Sequence, residues 1–321
     1  MPKGSATKMA KKMLVIGDVA IEMLMKLKRL PTLGEVCDED KYLFLPGGPA
    51  GNAALAANYF GASAFLCGRV GKDGNASRLT QFFSDNGVNV DAVFTDEESQ
   101  TGMIVSFCES GYAEPRTLRY RGASAKVMTD DVDAAIAASP DAVFVSAETD
   151  GYIAIHTLEK CDTFGIPTFV DLSEESLLRA VSVKGASVKV LFTTDDTAES
   201  VTSMPVRDVE TALKCCLTIA QKISSEIYVI RMKNRGLFLY DGRTYGIIFV
   251  TDATDKAITL GYVNVESVVL ATEYLLHEDA KDACGAAAVA DLLAREGKGF
   301  RIPTREQVLA YIQKNELPFF L

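Results

Sequence analysis

Short apolar, β-branched runs punctuate this 321-residue chain at 13–17, 63–67, 142–146, 167–171, 188–193 and 226–231, each bounded by glycine, proline or charged turns. Between several of them lie amphipathic stretches of helical period. The clearest is 208–224, where Val209, Leu213, Cys216, Leu217, Ala220 and Ile223 fall on one face. Strands alternating with helices predict an α/β fold: a mostly parallel central sheet with helices on both faces.

Two regions break that rhythm. Residues 20–46 and about 98–122 read as extended segments with turns and no crossover helix, so they are expected as antiparallel strands standing off the main sheet. Such strands either flap over a crevice and exclude water from a site or form an edge hairpin without function. No repeat, low-complexity tract or long linker interrupts the chain, so residues 1–321 are expected as one domain with these two excursions. Thr304-Arg305-Glu306-Gln307 has the form of a capping box and opens a last helix over 305–315. The apolar tail Leu317-Pro318-Phe319-Phe320-Leu321 is expected to dock on the body.

The composition narrows the function. Asp plus Glu is 43 against Lys plus Arg 33, a net charge of −10, which argues against a nucleic-acid partner. No apolar run reaches the length of a membrane helix, and the Lys-rich start before Met13-Leu14-Val15-Ile16-Gly17 is too short in apolar residues for a signal peptide. Seven cysteines without CxxC spacing read as reduced thiols, and a cytoplasmic location is expected. His156 and His277 lie far apart and suggest neither a triad nor a metal cluster, so no metal site is expected.

Pro46-Gly47-Gly48-Pro49-Ala50-Gly51-Asn52-Ala53-Ala54 is the most informative segment. Two glycines before a helix-starting proline let backbone approach a ligand, and Asn52 in the first turn offers both a donor and an acceptor. Alone, the segment is equally a tight turn before a slim, small-residue helix. Gly68-Arg69-Val70-Gly71-Lys72-Asp73-Gly74 follows it after a strand, and together the two stretches resemble the first signature of the PfkB/ribokinase family of carbohydrate kinases. Gly17 with Glu22, Thr101-Gly102, Arg121-Gly122-Ala123-Ser124 and Asp171 resemble further family stretches in the same order, so the likeness covers about 12–295.

The resemblance implies a ribokinase-like three-layer sandwich with a small β lid, and transfer of the γ-phosphoryl of ATP, with Mg, to a sugar or nucleoside hydroxyl. It implies substrate contacts at Glu22, in place of the family's Asp, and at Gly47, Gly48 and Asn52. It also implies a homodimer through the lid. The second signature, D-T-x-G-A-G-D, is matched to Asp282-Ala283-Cys284-Gly285-Ala286-Ala287-Ala288. Gly285, Ala286 and Ala287 are then expected as the anion hole, with Ala288 where the base Asp should stand and no catalytic residue identified. Losing a general base costs about 10²–10⁴-fold.

Other departures gather at the nucleotide end. Ala198 stands for the Glu of the N-x-x-E stretch at 195–198, and Arg231-Met232-Lys233 stands for T-x-G. The stretch linking these to the second signature, about 252–281, is long beside the family pattern. A sugar or nucleoside binder with impaired phosphoryl transfer is therefore expected, the alternative being an active ATP-dependent sugar kinase with an unusual site. A dinucleotide-binding oxidoreductase is set aside, because Gly17-Asp18-Val19-Ala20 is not Gly-x-Gly-x-x-Gly.

Overall fold

The computed structural model describes residues 10–39, 41–111, 115–233, 235–248, 265–296 and 302–319. Among them the strands are β1 (Lys12–Ile16), β2 (Ala20–Leu27), β3 (Tyr42–Gly47), β4 (Ser63–Gly71), β5 (Asn89–Asp96), β6 (Gly102–Glu109), β7 (Arg116–Tyr120), β8 (Ala142–Val145), β9 (Thr168–Asp171), β10 (Ser187–Thr194), β11 (Ser224–Met232), β12 (Gly236–Tyr240) and β13 (Tyr245–Ile248). The helices are α1 (Pro49–Tyr59), α2 (Gly74–Asp85), α3 (Thr129–Ile136), α4 (Gly151–Phe164), α5 (Glu175–Lys184), α6 (Asp195–Thr202), α7 (Val209–Ala220), α8 (Val265–His277), α9 (Ala280–Glu296) and α10 (Arg305–Lys314).

The main sheet has nine strands in the order β13-β12-β11-β10-β9-β8-β1-β4-β5. The segment from β11 to β5 is parallel throughout, and β12 and β13 add an antiparallel edge. All six apolar runs read from the sequence lie in the parallel part. On β1, Met13 and Val15 enter one core with α1, α2, α8, α9 and α10, while Leu14 and Ile16 enter the other with α3 to α7. These are the three layers of the sandwich.

The two excursions pair with each other as a four-stranded sheet, β3-β2-β6-β7. Antiparallel pairing holds for β2 with β3 and β6 with β7, but the central β2–β6 pair is parallel, a correction to the expectation. It follows from both strands leaving the main sheet at the same end.

Local corrections have equally local causes. The helix expected over 208–224 stops at Ala220, capped by Asp208 with Thr211, and its chain re-enters the sheet at Ser224. Its buried face is Ala212, Cys215, Cys216 and Ile219, so Leu217 is turned to solvent. Thr304 and Gln307 do form the capping box of α10. The tail docks through Phe319, which lies against Gly285 of α9. Part of the stretch taken as a linker is α8; positions 252–264 lie outside the described residues.

Candidate functional site

Chain connectivity selects the site. From β1 the chain builds β4 and β5 on one side, and later β8 and β9 on the other, so the strand order reverses between β1 and β8. Ligands of open α/β sheets bind at the carboxyl ends of strands flanking such a switch point. Gly17 and Asp18 follow β1 there, Ser146 and Glu148 follow β8, and the lid strands leave from the same place.

On the lid side stands Glu22 of β2. Its Oε1 accepts the Gly48 N–H at 2.8 Å and the Asn52 Nδ2–H at 2.9 Å. Burial pushes its carboxyl up, against these two donors. The two glycines serve different ends. A Cβ on Gly47 would lie 2.5 Å from Glu22 Oε1, so Gly47 makes room for a side chain. Gly48, at φ 84°, opens α1, and a Cβ there would meet the Ala20 backbone nitrogen at 2.5 Å. The structure therefore gathers Glu22, Gly47, Gly48 and Asn52 in one place.

Across the crevice, Arg121 donates from Nε and Nη2 to the two oxygens of Asp18, each at 2.7 Å, and from Nη2 to the Glu148 carbonyl at 2.9 Å. Ser124 Oγ accepts the Val19 N–H and donates to the Val19 carbonyl. A small cleft beside this contact is lined by Asp18, Arg121, Thr149 and Asp150. Glu148 is 9% exposed and accepts the Ser146 hydroxyl at 3.1 Å. Burial first, then Asp171 and Asp18, push its carboxyl up to about 7. The sequence reading missed Asp18 and Glu148; the signal available was an acid shortly after each of two apolar strands.

A third group lies at the mouth of α8. Asp171, ending β9, accepts the Ser173 N–H at 2.9 Å and the Ser267 hydroxyl at 2.6 Å. Arg231, near the end of β11, pairs with Glu266 in the first turn of α8 at 3.4 Å. Burial, then Asp291, push Glu266 up to about 8, against Arg231 and Arg295. Arg231 is thus a partly exposed ion-pair partner of Glu266, and Asp291 is near enough for its charge to be felt there. Lys233 reaches the carboxylates of Asp195 and Asp196. Ala198 is fully buried, while Thr194 caps α6 through the Thr197 N–H.

The anion-hole expectation for Gly285, Ala286 and Ala287 is corrected. It required a helix start, but α9 begins at Ala280, so these residues lie beyond its first turn with their amides inside the helix ladder. Ala286 and Ala287 are buried in the core, and Ala288 packs against it. Position 288 therefore says nothing about a base. Cys284 is fully buried, which pushes its thiol up and leaves it inert. His156 pairs with Asp133 at 2.8 Å on the outer face of α4, a structural role.

A three-layer sandwich with a lid sheet springing from its switch point defines the class: a ribokinase-like α/β protein. The model of the pfkB carbohydrate kinase family matches residues 10–255, and the chain belongs to that family. It is 23% identical over 96% of its length to the bifunctional ribokinase/ribose-5-phosphate isomerase A of Fructilactobacillus sanfranciscensis, but spans only 57% of that protein. It is 23% identical to the ribokinase of Haemophilus influenzae, covering 95% of this chain and 99% of that one. Arabidopsis thaliana ribokinase, solved with ribose and ATP, superposes with a TM-score of 0.81 at 20% identity, over 95% of this chain and 99% of that one.

Proposed function

We propose that this chain binds a sugar or nucleoside at the lid base through Glu22, Gly47, Gly48 and Asn52, and that phosphoryl transfer from ATP is impaired. One observation carries the second half. The first turn of α8 opens on the carboxyl end of the sheet, where a helix start would favour phosphate. Its mouth is filled by the chain's own groups: Glu266 with Arg231, and Asp171 with Ser267. Four acidic side chains, Glu266, Asp291, Asp171 and Asp195, act on the Arg231 guanidinium and leave it little attraction for a polyphosphate. On this reading the described residues at this end do not fit ATP with Mg.

The test is calorimetric titration with Mg-ATP, then with ribose, fructose and adenosine, with ADP release followed in parallel. The reading expects heat from one of the sugars or the nucleoside, no heat from nucleotide at millimolar concentration, and no ADP. Steady ADP formation would instead establish the alternative, an active ATP-dependent sugar kinase. That reading draws on Glu148, whose carboxyl at about 7 is matched to general-base work near neutrality.

The outer lid strands expose Tyr42, Leu43, Leu118 and Tyr120, which supports a homodimer through the lid. Light scattering giving a monomer mass at micromolar concentration would dismiss it. A cytoplasmic location agrees with seven cysteines that are all unpaired.

A further inference from the structure

The pairing register of the lid sheet fixes which side chains look into the crevice. Glu22 on β2 stands opposite Ile104 on β6, and Ile104 stands opposite Arg119 on β7. Directly opposed residues share a face, and the next rung out bears this out, where the paired Ser106 and Thr117 hydroxyls lie 3.0 Å apart. Arg119 therefore shares the face that carries Glu22. Two residues on, the alternation returns to that side with Arg121, which reaches Asp18. The other arginines of the lid and its loop are paired with carboxylates: Arg29 with Glu35, Arg116 with Glu109 and Arg121 with Asp18. Arg119 is exposed and has no hydrogen bond or ion pair among the described residues.

We propose, on the reading that the lid base is a sugar site, that Arg119 receives an anionic substituent of the ligand whose hydroxyls meet Glu22 and Asn52, so that the site takes a sugar bearing a phosphate or carboxylate in preference to a neutral one. Glu22 and Arg119 stand two strand spacings apart, about 9.5 Å. A sugar ring held at Glu22 covers the near part of that span. A charged group on its far side then comes within reach of the guanidinium fork, which matches phosphate and carboxylate oxygens alike. The acidic side chains below set the direction of the ligand. Glu22, Asp18, Glu148 and Asp150 accept hydroxyls and repel an anion, so the charged end is held away from the main sheet and toward β7. In a chain of net charge −10, attraction for an anion comes only from such local cations and is sensitive to salt.

Calorimetric titration of the intact chain with matched pairs tests it: ribose against ribose 5-phosphate, fructose against fructose 6-phosphate, and glucose against glucuronate, with inorganic phosphate alone as a control. The charged member of at least one pair should bind about tenfold tighter than its neutral partner at low salt. Raising the salt to about 0.3 M should narrow that margin. The phosphate pairs and the glucuronate pair distinguish which anion is taken. Arg119→Gln, at an exposed and unpaired position, should stay folded and bring the charged ligand down to the affinity of its neutral partner, and Arg119→Lys should recover part of the margin. Arg116→Gln, on the opposite face of β7, should keep the margin whole. Neutral sugars binding as tightly as charged ones, a preference that persists in Arg119→Gln, or inorganic phosphate matching the sugar phosphate would each overturn the proposal. Heat from a neutral sugar without that preference removes only the role of Arg119 and leaves the sugar site standing, whereas no heat from any of these ligands removes both.

Discussion

Arg121 and Asp18, 103 residues apart in sequence, meet through two parallel N–H···O bonds of 2.7 Å. The fork geometry is specific to a guanidinium, and the Asp18 side chain is only 5% exposed. Removing the cation leaves a buried carboxylate without its partner, and the cost falls on the place where the lid is hung. Arg121→Gln should lower stability by about 2–4 kcal/mol. Arg121→Lys should recover less than half of the loss, because an ammonium cannot fill both bonds. Urea unfolding followed by circular dichroism measures both, and equal stability of all three proteins would remove the pair from the hinge.

The two glycines of the α1 turn should respond differently to alanine. At Gly47 the obstacle is the Glu22 carboxylate, a side chain, so the clash is conditional on Glu22. Gly47→Ala should cost about 1–3 kcal/mol in the wild type and much less in a Glu22→Ala background. At Gly48 the obstacles are backbone atoms of Ala20 and Asp18, and φ is 84°, so the cost should be the same in both backgrounds. A double-mutant cycle in urea gives the coupling directly. Zero coupling between Gly47→Ala and Glu22→Ala would mean that Glu22 does not occupy the place described.

Asn52 is the polar group whose loss separates binding from folding. Its Nδ2–H bonds Glu22, which retains the Gly48 amide if Asn52 is truncated. Asn52→Ala should therefore weaken the ligand identified by calorimetry by about 1–3 kcal/mol, through an unpaired polar group, while the protein stays folded. Unchanged affinity would take Asn52 out of the site.

What the sequence made legible follows from how local each cause is. Six of the seven strands of the parallel segment were readable because a strand covered on both faces needs apolar residues at every position, as in the fully buried Val143–Val145 of β8. The α10 cap was readable because Thr304 and Gln307 are three residues apart. The lid's parallel β2–β6 pair was not, since nothing in either strand specifies a partner so distant along the chain. The same holds for Ser267 on Asp171, a bond spanning 96 residues. Asp282–Ala288 misled for a different reason. A run of small residues serves close helix packing as well as close approach to phosphate, and only position within the helix tells the two apart.

The Glu266 carboxyl gives the protein a pH dependence of stability with a definite sign. Burial, then Asp291, raise it from 4.5 to about 8 in the folded chain. A value raised on folding means that the group's contribution is whole below pH 4.5 and is lost as pH rises through 8. Stability should decline from about pH 4.5 to about pH 8 and level off above it, and Glu266→Gln should flatten that decline by at most about 1.4 kcal/mol per pH unit. Thermal unfolding across this range, in buffers of matched ionic strength, checks it. A decline as steep in the variant would assign the dependence to other groups, Glu148 first among them.

Gly285 provides the last test, because a packing role and a phosphate-binding role predict different losses. A Cβ on Gly285 would lie 2.4 Å from the Phe319 ring, and Phe319 is 4% exposed, so the glycine is the seat of the C-terminal tail. Gly285→Ala should destabilise by about 1–3 kcal/mol through overpacking. Phe319→Ala should cost about 3–5 kcal/mol by emptying the same contact. The double variant should lose less than the sum, since the methyl group added by Gly285→Ala fills part of the space that the Phe319 ring vacates. Calorimetry with nucleotide on the folded Gly285→Ala protein should match the wild type. A nucleotide affinity present in the wild type and lost in Gly285→Ala, with stability unchanged, would return the anion hole to α9. The packing role requires the reverse, stability lost and nucleotide response unmoved, because the amide of Gly285 is already bonded within its own helix.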